Sequence, residues 1–237
     1  MTRPTIPLGL GIYYPAEGAR LLRLKPDALR RWAQGYTYWV PRRGKRGSSR
    51  PVIQTDIPAI RGQRALSFLE LMELRVVAAL RVKGISLQRI RAAAQLGRDA
   101  LKTAHPFATR RIFTDGRTIF AQTAPPPHDD EAMIELAEDR DAQLIIADIV
   151  SPFLEELDFD AESGVASRWW PAGRRQPIVL DPRISFGAPT IKDTRIRTDA
   201  VAGVAEAESV AGAARAFALS EGEVVAARDF ERELRAA

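Results

Sequence analysis

The stretch Tyr13–Trp32, YYPAEGARLLRLKPDALRRW, restricts what this chain can become more than any other part of it. Two short segments with helical spacing follow one another across a brief turn. Ala16, Ala19 and Leu22 mark an apolar side of the first, and Pro26 opens the second. Proline suits a first helical position, because the N–H it lacks would have no partner inside the helix. Gly35 then stands where glycine commonly ends a helix. Leu29 and Trp32, three residues apart, point inward, so Asp27, Arg30, Arg31 and Gln34 point outward. A short helix, a tight turn and a second helix with a polar outer face is the helix-turn-helix pattern. Such a second helix can enter a major groove and offer side chains to base edges.

The next residues fit that reading. YTYWV is rich in β-formers, PRRGKRGSSRP is basic and glycine-containing, and PVIQ is again apolar. The expectation is a hairpin, or wing, with YTYWV and PVIQ as strands and Arg42, Arg43, Lys45 and Arg46 at its tip. Lys25, Arg30, Arg31, Gln34 and those four wing residues are the candidate DNA-binding set. LSFLELMELRVVAALRVKG predicts a longer helix with apolar residues on more than one face, stopped by Gly84. SLQRIRAAAQLG predicts another, with Ser86 as its N-cap.

Charge is distributed unevenly. Residues 1–64 hold 13 Lys or Arg against 3 acids, a net of +10, and residues 65–128 hold 10 against 4, a net of +6. Residues 129–163 reverse this, with 1 against 13, and residues 164–237 are nearly balanced at 11 against 10. The chain's overall +5 conceals the asymmetry. A front this basic implies a polyanionic partner, since polyanion affinity is mostly backbone electrostatics.

Other classes are disfavoured. No apolar run reaches the roughly 20 residues of a membrane helix. MTRPTIPLGLGIYY has no sustained apolar core, so no signal peptide is expected. The absence of cysteine removes disulfides, thiolate zinc sites and thiol nucleophiles, and fits a reducing cytoplasm. Glu131, Glu135, Glu138, Asp139, Asp141 and Asp148 form the strongest case for a metal-dependent nuclease. They crowd one short stretch rather than converging from several elements, which reads as a solvated face. His105 and His128 sit next to prolines in loop-like sequence, with no partner at ligand spacing. No catalytic residue, metal site or cofactor is expected, and the chain reads as non-enzymatic.

The remainder divides into a middle and an end. Asp115-Gly116 between RRIFT and RTIFAQ is a hairpin signal. LDFD and VASRWW, flanking AESG, suggest a second hairpin, and DAQLIIADIVSPFLEEL a helix broken near Pro152. PAGRRQP resembles a linker. The extended IVLDPRISFGAPTI leads into three helices, TDAVAGVAEA, SVAGAARAF and EGEVVAARDFERELR, with Ala218-Leu219-Ser220 turning into the last. Trp169-Trp170 and Phe186-Gly187 are either core or partner surface.

YYPAEGARLLRLKPDALRRW and ELMELRVVAALRVKGISLQRIRAA resemble the MerR-type winged helix. DPRISFGAPTIKDTRI and SVAGAARAFALSEGEVVAA resemble the small helix-turn-helix domain of unknown function found in VapB-type antitoxins. Together with HPFATRRIFTDGR and RWWPAG, they make the chain similar to the longer VapB-like antitoxins with a MerR-like front. The expected fold is mostly α with a minor β component. It comprises a winged helix over 11–101, a small α+β middle over 105–171 and a three-helix domain over 178–237.

The resemblance implies double-stranded DNA and a VapC-like PIN-domain ribonuclease toxin as partners, promoter autoregulation, a homodimer formed through the helix after the winged helix, and a cytoplasmic protein. It also implies that 1–101 would bind DNA, and 105–237 the toxin, as separate fragments. Toxin inhibition calls for arginine against metal-binding carboxylates. Arg183, Arg195 and Arg197 are the candidates, and their alternative is pairing with nearby Asp181, Asp193 and Asp199. The rival function is an effector-responsive MerR-like regulator without a toxin.

Overall fold

A computed structural model describes residues 9–41, 44–59, 63–112, 152–153 and 155–236. Helices α1 (Pro15–Leu21) and α2 (Pro26–Gln34) each begin at proline, after an extended residue that offers no side-chain cap. The turn between them closes when the Leu24 N–H donates to the Ala19 carbonyl at 2.8 Å, with Arg23 in left-handed backbone. Leu29 and Ala33 are buried, Trp32 is half-buried, and Asp27, Arg30, Arg31 and Gln34 are exposed, as the spacing predicts.

Gly35 ends α2 at φ 75, and a β-carbon there would run into the Ser49 carbonyl. One glycine therefore both stops the helix and admits the wing. Strand β1 (Tyr36–Val40) pairs antiparallel with β2 (Lys45–Ser49), from Tyr36 opposite Ser49 to Val40 opposite Lys45. The wing exists, but its return strand is KRGSS, not PVIQ. Pro51 cannot donate to the ladder. The Val52 N–H instead bonds the Trp32 carbonyl at 2.8 Å, and Val52 and Ile53 are drawn into the core.

Helix α3 (Phe68–Val82) starts in a capping box. Ser67 Oγ accepts from the Glu70 N–H at 3.1 Å, and Glu70 Oε2 accepts from the Ser67 N–H at 2.6 Å. Gly18 of α1 lets the first helix settle on it: a β-carbon there would lie 3.2 Å from Leu71 Cδ1. Helix α4 (Leu87–Leu101) is capped by Ser86, as expected, and a 3-10 turn, Pro106–Ala108, packs on α3 and α4. The apolar surface of α3 suggested a dimer face, but this chain covers much of it itself: Phe107, Phe153, Leu157, Trp169, Ile178, Leu180 and Phe230 join the same core.

The second predicted hairpin forms from β3 (Leu157–Phe159) and β4 (Ala166–Trp169). Asp115-Gly116, most of the helix expected before Pro152, the acidic residues 131–148 and His128 lie outside the described residues. PAGRRQP turns back on itself, so that Trp169 and Leu180 exchange backbone hydrogen bonds of 3.0 and 2.8 Å. Strands β5 (Ile178–Val179) and β6 (Thr190–Ile191) pair ahead of α5 (Thr198–Ala207), α6 (Val210–Phe217) and α7 (Glu221–Ala236). These are the three helices the sequence predicts. They close around Ile191, Val201, Ala205, Ala213, Val224 and Ala227, and Ala218 turns in left-handed backbone before the last.

Front and rear are fastened to each other. Tyr13 is buried and its hydroxyl donates to the Gly187 carbonyl at 2.8 Å; the Ile12 N–H donates to the Phe186 carbonyl at 2.9 Å. Arg23, beside α1, meets Glu233 of α7 at 2.5 Å. Arg75 of α3 bonds Glu156 and lies over the Phe153 and Trp169 rings, 4.2 and 5.0 Å from their centroids. The expectation of separable fragments 1–101 and 105–237 does not survive this shared core, because either cut would bare buried Phe, Leu and Trp surface.

Candidate nucleic-acid interface

Helix α2 presents Lys25 at its N-cap, and Arg30, Arg31 and Gln34 along its outer side, all exposed. Arg30 is held by Asp27 at 3.0 Å. An exposed pair of this kind is worth about 0–1 kcal/mol, so a phosphate or base edge can displace it. The Arg31 guanidinium lies 5.7 Å from the Tyr36 ring centroid, placing the end of α2 against the root of the wing. Lys45 and Arg46 are exposed on β2 rather than at the tip, opposite Val40 and Trp39. Arg42 and Arg43 lie outside the described residues.

Two features of the wing escaped sequence reading. Tyr38 and Trp39 are exposed, Trp39 at 60%. Gly47 gives Tyr38 room to lie across β2, since a β-carbon there would come within 2.8 Å of Tyr38 Cζ. Arg91 of α4 clamps the end of β2, donating from Nε to the Arg50 carbonyl and from Nη2 to Ser49 Oγ, both at 2.8 Å.

The segment that follows the wing enters a buried ionic cluster. His105, expected as a loop residue without a partner, is buried with its imidazole bridging two carboxylates. Nδ1 is 3.0 Å from Glu73 Oε2 and Nε2 is 2.8 Å from Asp56 Oδ1. Asp56 Oδ2 also accepts from Ser67 Oγ at 2.5 Å. Burial pushes the His105 pKa down, but the hydrogen bonds and charges of Asp56 and Glu73 prevail and carry it up to about 10. Burial raises Asp56 less than its bonds from His105 and Ser67 lower it, so its carboxyl stays below the ordinary range. Glu73, wholly enclosed, is raised by burial despite His105, and burial lifts Glu70 to about 7. The cluster ties the segment after the wing, the start of α3 and the 105–108 turn together. Its sequence signal is that Glu70 and Glu73 share the spacing of buried Val77 and Leu80. Among the described residues, no group of three or more His, Cys, Asp or Glu could hold a metal ion, and no described helix is long and apolar enough to cross a membrane.

At the rear, two of the three candidate arginines are engaged. Arg183 grips buried Asp181 with Nε and Nη2 at 2.9 and 2.7 Å, and Arg168 shares that carboxylate at 3.0 Å. Burial tends to raise the Asp181 pKa, but the arginine bonds take it below its ordinary value. Arg197 grips Asp199 at 3.0 and 2.5 Å. Arg195 is exposed and forms no ion pair among the described residues, while its backbone carbonyl accepts from Ser185 Oγ. Trp169 and Trp170 are buried, their indole N–H groups donating to Glu156 and Asp158, so the core alternative holds for them. Phe186 is exposed.

An exposed basic second helix braced by a two-stranded wing makes the front of this chain a DNA-binding helix-turn-helix unit. Residues 11–94 match the family described as "Putative DNA-binding HTH domain", and residues 178–230 match "Protein of unknown function (DUF433)". The chain is 28% identical over 204 residues to "Putative antitoxin VapB45" of Mycobacterium tuberculosis, which covers 81% of each protein. The X-ray crystal structure of Rv2018 from Mycobacterium tuberculosis shares the fold, with a TM-score of 0.67 and 23% identity over 96% of this chain and 100% of that one. The chain thus resembles the longer VapB-like antitoxins over most of its length, with the helix-turn-helix unit at the front and the DUF433 region at the rear.

Proposed function

We propose that this chain is a non-enzymatic cytoplasmic antitoxin that binds operator DNA to repress its own promoter and neutralises a VapC-like PIN-domain ribonuclease. The observation that carries the reading is the exposed set Lys25, Arg30, Arg31, Gln34, Lys45 and Arg46 on a helix-turn-helix front, in a chain whose curated relative is named an antitoxin. The reading includes a two-fold dimer on an inverted-repeat operator. With α3 largely covered by its own chain, the dimer rests on the resemblance alone. Arg195 is the best placed of the inhibitory candidates, because its guanidinium needs to abandon no partner described here. Arg183 and Arg197 would act only by sharing or releasing Asp181 and Asp199.

The test is to co-express the full chain with a VapC-like PIN-domain protein of the same genome, then measure ribonuclease activity and promoter binding. About six phosphate contacts would weaken DNA affinity roughly a thousandfold between 50 and 200 mM salt. A chain that binds no DNA at low salt, or leaves the ribonuclease fully active, sinks the proposal. The rival, an effector-responsive regulator, draws on an open cleft of about 650 Å³ between α7 and the residues following β4, bounded by Arg23, Gly173, Ile178, Val225 and Phe230. It would be preferred if a small molecule, and not the PIN-domain protein, altered promoter binding.

A further inference from the structure

The turn around Phe186 has a conformation and an exposure that neither DNA binding nor folding accounts for. Ser185 and Phe186 both hold left-handed backbone, at φ 48 and 56, and Gly187 follows at φ 86. Side chains with a β-carbon are crowded there, and glycine is the ordinary occupant. The turn is nevertheless fastened on every side by bonds that need no phenyl group. The Phe186 carbonyl accepts from the Ile12 N–H at 2.9 Å, and the Gly187 carbonyl accepts from Tyr13 Oη at 2.8 Å. The Gly187 N–H donates to the Ile184 carbonyl at 2.8 Å, and Ser185 Oγ to the Arg195 carbonyl at 3.2 Å. Phe186 as a whole is 68% exposed. The position thus carries both backbone strain and an aromatic ring in water, without return inside the chain. Strain of this kind collects at functional positions, and single aromatic residues in the centre of an interface supply much of its affinity.

Charge indicates what covers the ring. Arg195 and Arg183 are joined to the turn through Ser185 and the short Asp181–Ile184 connection, and both are exposed. Lys192, also exposed, faces Asp193 at 3.8 Å. Arg183 and Arg168 share the charge of buried Asp181, exposed Asp160 also acts on Arg183, and exposed Asp193 offsets Lys192, so the net positive charge beside the turn is that of Arg195. A second copy of the chain docked ring to ring across a two-fold axis would bring Arg195 towards its own counterpart with no carboxylate gained, which is unfavourable. An acidic protein surface would not.

We infer that Phe186 is the apolar anchor of a docking surface for the toxin, filling an apolar pocket whose carboxylate rim meets Arg195 and Arg183. This rests on the antitoxin reading. The test uses the full chain and a purified VapC-like PIN-domain protein of the same genome, titrated calorimetrically, with Phe186→Gly as the main variant. Glycine relieves the left-handed backbone while removing the ring, so folding and docking are expected to move apart. Phe186→Gly unfolds at the same temperature as the unaltered chain or higher, binds promoter DNA equally, and binds the toxin about thirtyfold more weakly, the scale of an interface hot spot. Arg195→Ala weakens the toxin further and leaves DNA binding unchanged. Toxin binding by Phe186→Gly within twofold of the unaltered chain overturns the anchor and leaves the antitoxin reading standing. A lower unfolding temperature, an equal loss of DNA affinity, or a dimer that becomes a monomer on sedimentation also overturns it, assigning the ring to folding, DNA or self-association. If the unaltered chain itself does not bind the toxin, anchor and antitoxin reading fall together.

Discussion

His105 carries the sharpest energetic consequence of any single side chain. It is a cation enclosed with Glu73 and Asp56, and removing one member of such a group strands the others. His105→Gln is expected to cost about 3–5 kcal/mol, the usual penalty for leaving a buried charge unpaired, read as a fall in the urea midpoint. The pH dependence has a definite sign. A histidine whose pKa rises on folding takes up a proton as the chain folds. Its stabilisation is complete below its unfolded value of about 6.5 and is lost as the pH climbs towards 10. Glu73, raised by burial, erodes stability in the same direction from its ordinary range upward, whereas Asp56, held low, gives way only in acid. The stability gap between the unaltered chain and His105→Gln should therefore narrow from neutral to alkaline pH. A gap that is constant between pH 6.5 and 10 would show that the histidine is not held as a cation.

Among the elements, α2 and the wing should divide the work of DNA recognition. Lys45→Ala with Arg46→Ala is expected to weaken every duplex alike and to flatten the salt dependence, as loss of phosphate contacts does. Arg30→Ala or Arg31→Ala should instead relax base preference, by about 1–3 kcal/mol if the arginine is bidentate to guanine. Competition binding against scrambled operators separates the two; equal losses on all sequences from Arg31→Ala would move that residue into the phosphate class. The same elements mark how far the sequence could be read. The helix-turn-helix, its prolines and Gly35, the Ser86 cap, the β3–β4 hairpin and the three last helices were legible because their causes are local. The return strand of the wing was not, because Val52 and Ile53 look like strand residues and only the distant core claims them. His105 was missed for the same reason: its partners are 32 and 49 residues away, and no local spacing announces them. Phe186 could be named only as core or surface, since a left-handed turn closed by Ile12 and Tyr13 leaves no trace nearby in the sequence.

At the scale of the whole molecule, the front and rear share buried surface rather than meeting at a linker. Residues from α1, α3, α4, the β3–β4 hairpin and α7 contribute to one apolar cluster. The described parts are accordingly expected to unfold together, and a chain ending at 101 to aggregate or lack a sharp transition. Tyr13→Phe offers a milder probe. It leaves the Gly187 carbonyl without its phenol partner and should cost about 1–3 kcal/mol, the price of a buried acceptor left unpaired, lowering the whole transition rather than splitting it. Two separate transitions in calorimetry would contradict the shared core.

The junction of Ile12 and Tyr13 with Phe186 and Gly187 has a thermodynamic corollary. It places the turn that displays Phe186 directly behind the residues that lead into α1, so a partner bound at that turn and DNA bound by α2 would both act on this joint. Coupling between two binding sites is reciprocal: any factor by which a bound toxin alters operator affinity must equal the factor by which the operator alters toxin affinity. Titrating the toxin with and without operator present reads that factor directly, and Tyr13→Phe, by loosening the joint, should bring it closer to one. On the proposed function, a phenol and a glycine carbonyl 2.8 Å apart would be the contact through which an occupied promoter registers its partner.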